Sequence, residues 1–109
     1  MPQVSCINNG QLALYRDGDG LIIYAGDYIT ELDLEEVRRW FMGTENVGDF
    51  TAPKESNVSV RFVRAVLPSH PEEAQVSYSV KPKSYLPPTG NLCIVPAALL
   101  SQTLKALLS

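Results

Sequence analysis

His70 is the single histidine of the chain and sits between Ser69 and Pro71, in a stretch that reads as a turn. A general base needs a fixed environment that brings its pKa near the working pH, and a solvated turn does not provide one. The two cysteines, Cys6 and Cys93, lie inside the apolar runs Val4-Ser5-Cys6-Ile7 and Leu92-Cys93-Ile94-Val95. That context predicts small buried thiols in a reducing compartment rather than a disulfide. Nothing adjacent to either residue would depress a thiol pKa, as a nucleophile requires. One histidine and two cysteines also fall short of a zinc ligand set, so no metal site is expected.

The glycines and carboxylates do not supply the missing chemistry. Gly18-Asp19-Gly20 begins like a dinucleotide fingerprint, but Ile23 occupies the third glycine position and the residues that follow have strand character. Two aspartates in that turn would repel phosphate. As a calcium loop it fails as well, because Leu21 stands where an oxygen ligand belongs and no glutamate occupies the twelfth position. Glu35-Glu36 and Glu72-Glu73 are neighbours in sequence, which on a helix point about 100° apart and do not converge on one substrate atom. The sequence therefore offers no catalytic constellation and no cofactor loop.

The elements that position these residues follow from periodicity. Residues 3 to 8 read as a strand broken by Asn8-Asn9-Gly10; Gln11 to Arg16 and Leu21 to Ala25 are two further strands joined by Asp17-Gly18-Asp19-Gly20, giving an antiparallel meander. Leu34, Val37 and Phe41 recur at helical spacing. Asp33 is placed as N-cap with Glu36 completing a capping box, and Gly43 is placed to end the helix. Residues 44 to 57 are rich in Gly, Asn, Asp, Thr and Pro and predict a surface connection. Val58 to Leu67 and Gln75 to Lys81 alternate as a long-looped hairpin. Leu86 to Gly90 reads as a rigid turn, Leu92 to Val95 as a last strand, and Pro96 opens a closing helix. The expectation is one compact α+β domain over residues 1–109, in the order β-β-β-α-β-β-β-α, with a first half at 1–43 and a second half at 58–109. The chain's 109 residues suit one core.

Composition narrows function by exclusion. No stretch approaches the ~20 apolar residues of a membrane span, and the first residues lack a basic, apolar leader, so a cytoplasmic location is expected. Charge is divided. Up to Glu55 four cations face ten anions, a net −6, and after it five cations face two anions, a net +3. Glu31, Asp33, Glu35 and Glu36 gather around the start of the first helix, with Arg38, Arg39 and Trp40 just beyond. This predicts a non-catalytic protein-binding module that meets a basic partner surface. Small acidic inhibitors or regulators that block another protein, such as phage or mobile-element antagonists and immunity proteins, work on this principle. The alternative is a single-stranded nucleic-acid-binding domain using Arg61, Arg64, Lys81, Lys83 and Tyr85, against which the acidic balance counts. The wide leucine arc of the C-terminal helix offers a surface for a homodimer.

Overall fold

The computed structural model describes residues 3–7, 11–26, 28–66, 69–81 and 89–109. In chain order the elements are β1 (Gln3–Ser5), β2 (Gln11–Asp17), β3 (Gly20–Ala25), β4 (Tyr28–Asp33), α1 (Leu34–Met42), β5 (Val47–Ala52), β6 (Glu55–Val63), β7 (Glu73–Val80), β8 (Thr89–Pro96) and α2 (Ala97–Leu108). The α+β class read from the sequence is the class found, antiparallel sheets with a helix closing each half. The sheets are the meanders β1-β2-β3-β4 and β5-β6-β7-β8. Strand partners are thus sequence neighbours throughout, as short connections favour.

Period-two alternation decides which side of each sheet is buried. In the first sheet Leu12, Leu14, Leu21, Ile23 and Leu32 are at most 1% exposed, and in the second Val58, Val60, Phe62, Val76 and Val95 are at most 2% exposed. The register Val60↔Tyr78 and Phe62↔Val76 keeps the apolar rows of β6 and β7 opposite each other, as the expected hairpin requires. Both sheets and both helices contribute to one continuous core, to which α1 brings Leu34 and Val37 and α2 brings Leu100, Leu104 and Leu108. A Cα radius of gyration of 13.2 Å fits a single domain of this length.

Five expectations are corrected. Residues 44 to 57 do not form an irregular connection: Val47–Ala52 is a strand paired with β6, whose alternation of exposed and buried residues hides in a Gly- and Asp-containing segment. Tyr28–Asp33, which has no turn residue inside it, is likewise a strand, the fourth of its sheet. Asp33 is the N-cap of α1 but its side chain makes no capping hydrogen bond, so there is no capping box. The backbone N–H of Leu34 instead donates to the Asp19 carbonyl at 2.9 Å, which fastens the β2–β3 turn to the helix start. Gly18 supplies that turn's positive φ of 60°. Pro96 ends β8 and precedes the helix rather than occupying its first turn, and Ala97 N–H donates to Glu72 O at 2.7 Å. The expected turn at 8–10 and residues 86–88 of the later turn lie outside the described residues; Thr89 and Gly90 belong to β8.

The cysteines are the fifth correction. Cys6 and Cys93 form a disulfide across 87 positions of sequence with Cα atoms 5.3 Å apart. Ile7 N–H donates to Ile94 O beside it, so the chain leaving β1 is held against β8 of the other sheet. An apolar run suits a buried disulfide as well as a buried thiol, which is why the flanking residues misled. Thiol titration of the unreduced protein is expected to find no free thiol, and two after reduction in denaturant. Reduction or Cys93→Ser should lower unfolding stability by about 2–5 kcal/mol. Two reactive thiols before reduction would refute the bond.

Tyr78 stacks on Tyr28 with ring centroids 4.7 Å apart. Burial, with Glu55 and Tyr28 adding to it, raises the Tyr78 pKa above its ordinary 10.0. A raised folded-state pKa contributes stability that is present below the unfolded value and lost as pH rises through the folded one. Stability should therefore decline above pH 10.0, and Tyr78→Phe should make that decline shallower in urea melts between pH 9 and about 11.

Candidate protein-binding face

Helix α1 carries Glu35 and Glu36 in its first turn and Arg39 in its last, charges that suit the positive and negative ends of the helix dipole. Its apolar positions Leu34 and Val37 are buried, so the acids face away from the core. Several neighbouring charges are internally matched. Glu35 pairs with Arg38, whose Nε also donates to Leu108 O at 2.7 Å, and Glu31 pairs with Lys54 at 3.3 Å. Among the described residues no ion pair reaches Asp17, Asp19, Asp33 or Glu36. The Leu34–Asp19 hydrogen bond brings the first two of these carboxylates to the helix start.

Trp40 is half-buried against the core. Its ring stacks on Phe62 with centroids 5.7 Å apart and meets Phe50 edge-on at 6.0 Å. Gly48 on β5 makes this possible, because a Cβ there would lie 2.8 Å from the Trp40 ring and 2.9 Å from Phe50. Arg64 completes the packing: its Cζ lies 4.3 Å above the Trp40 ring. Its Nη2 donates to Trp40 O at 2.6 Å and Phe41 O at 2.9 Å, and its Nε to Glu45 O at 2.8 Å. Trp40 O and Phe41 O belong to the last turn of α1, where Gly43 N–H also donates to Trp40 O at 3.0 Å, so a side chain from just past β6 shares in the helix's C-terminal capping. Burial lowers the Arg64 pKa, yet the guanidinium stays charged at neutral pH.

Three residues expected in the binding face, Glu36, Arg39 and Trp40, come together along one open polar cleft of about 580 Å³. Glu45 and Asp49 join them there, contributed by the segment read as a connection. Asp33 and Glu35 lie nearer the other end of α1, and Glu31 is on β4. Sequence reading places both acids in a connection at 43 to 57 that belongs to the expected contact region, without singling either out, and Asp49 is set facing the cleft by the strand at Val47–Ala52.

Of the basic set of the nucleic-acid alternative, three residues are described. Arg61 is bound by both carboxylate oxygens of Asp49, at 2.6 and 3.3 Å, a bond that raises its pKa. Arg64 is engaged beneath α1, Lys81 is exposed, and Lys83 and Tyr85 lie outside the described residues. On α2, Leu100, Leu104 and Leu108 are buried within this chain, and Leu99 remains 38% exposed. The turn before β7 gathers His70, Glu72 and Glu73, with donor atoms within 4.8 Å of one another, on a largely exposed rim. Neither sulfur offers a thiolate while the disulfide holds.

Comparison with family models, with curated proteins and with solved structures gives no match. Gly48→Ala is expected to displace the Trp40 ring, at a cost of about 1–3 kcal/mol from overpacking. Because Trp40 is the only tryptophan, a red-shifted emission with unchanged strand content by circular dichroism would report it. An unshifted spectrum would show that the ring does not depend on the absent Cβ.

Proposed function

We propose that this chain is a non-catalytic protein-binding module, a small acidic inhibitor or regulator that covers a basic surface of another protein. The observation that carries this reading is the polar cleft along α1. Glu36 and Glu45, neither of them ion-paired among the described residues, flank Arg39 and Trp40 there. Unmatched carboxylates on a firm aromatic floor suit lysine or arginine side chains of a partner, steering association and fixing orientation. The fixed Trp40 ring supplies packing surface without an ordering cost on binding. Asp17, Asp19 and Asp33 extend the negative field toward the helix start.

No helix among the described residues is long and apolar enough to cross a membrane. The cytoplasmic location expected from sequence is weakened by the disulfide, which favours an environment where such bonds persist. A second copy bound through α2 would have to use Leu99, since the inner leucines are already covered.

The test is quantitative capture from lysate with tagged protein. Glu36→Lys with Glu45→Lys should reduce capture of any partner at least about tenfold at low salt, and wild-type capture should fall as salt rises. Glu72→Lys, on the far turn, is the control and should leave capture intact. Equal capture by the double reversal and the wild type would exclude this face.

A further inference from the structure

A second concavity lies between the end of α1 and α2, and the protein-binding role does not use it. It is a half-open cleft of about 300 Å³, walled chiefly by Phe41, Ala74, Leu100 and Leu104, with Trp40, Arg64 and, on α2, Ser101 also in the lining. That volume is at the small end of ligand sites, which are mostly apolar with a few placed polar groups.

We propose that this cleft binds a small monocarboxylate with an apolar body, an acyl or aryl acid, its carboxylate on Arg64 and its body along α2. No acidic side chain lines the cleft. Arg64 has no carboxylate within ion-pair distance among the described residues. Its Nε and Nη2 are engaged with backbone carbonyls, whereas Nη1 has no acceptor among the described residues. A guanidinium carries five donors, and the two N–H groups of Nη1, on a cation that lines an apolar wall, suit a carboxylate oxygen. Trp40 supplies the second observation, because its Nε1 is buried with no acceptor. Buried donors in folded proteins are nearly always satisfied, so a wall that leaves one orphaned beside a cation is short of acceptors. A cationic ligand would be repelled by Arg64. A free phosphate would leave the apolar wall bare and keep most of its own oxygens without partners.

The only tryptophan lines the cleft, so its own emission reads occupancy in the unlabelled protein. Octanoate is expected to change Trp40 emission saturably. It should bind at least about tenfold tighter than octan-1-ol, which has the body without the charge. Acetate, which has the charge without the body, should give no change in the same range. Ser101→Phe, which narrows the cleft and leaves Arg64 in place, should weaken octanoate at least about tenfold with the circular dichroism spectrum retained. Arg64→Gln should abolish the preference for octanoate over octan-1-ol. If that variant does not fold, the ligand series and Ser101→Phe decide. The proposal is overturned by equal affinity for octanoate and octan-1-ol, by no saturable response to octanoate, or by wild-type affinity in Ser101→Phe.

Discussion

The seat of α1 rests on one close approach, Trp40 against Gly48, where even a single methyl group would meet the ring at 2.8 Å. From that contact follows the aromatic trio of Trp40, Phe50 and Phe62, which ties the helix to the second sheet. The same contact brings the last carbonyls of α1 within reach of Arg64. One side chain thereby ends the helix and roofs the ring, so helix position and aromatic packing are interdependent. The two clefts lined by Trp40 both border this point.

Electrostatics explains the contrast between the two concavities. On the solvent side of α1, carboxylates accumulate because nothing buries them, and water screens their mutual repulsion. Between the helices the walls are apolar and the only charge is a guanidinium held by backbone dipoles. The cation–π contact and the carbonyls replace a carboxylate partner, so Arg64 is stabilised without being neutralised. The two concavities thus present opposite signs on either side of one aromatic ring, an arrangement that composition and net charge do not express.

Most of the fold was legible because its strands alternate and its helices are punctuated. Leu34, Val37 and Gly43 set the bounds of α1, and Val58 to Phe62 with Val76 to Val80 set the central hairpin. What escaped was strand structure written in turn residues. Gly48 and Asp49 look like loop composition, yet Gly48 is in a strand because Trp40 needs the space. Arg64 read as one more surface cation, since its carbonyl partners are backbone groups that no sequence pattern displays. The acidic cluster at the start of α1 was visible, but its ion pairing was not: Glu35 and Glu31 have partners, and Asp49 reached the cleft through β5. The cysteines failed for a plainer reason, since an apolar context is shared by thiols and disulfides alike.

The Cys6–Cys93 bond closes 87 positions of the chain into a covalent ring that holds every element from β2 to the middle of β8. A backbone cut anywhere within that ring leaves one molecule, not two fragments. Tension applied at the two termini bypasses the ring's interior and loads only the few residues before Cys6 and the stretch after Cys93, chiefly α2. The load therefore falls on β1 at one end and on the end of β8 with α2 at the other, while β2 to β7 stay mechanically shielded.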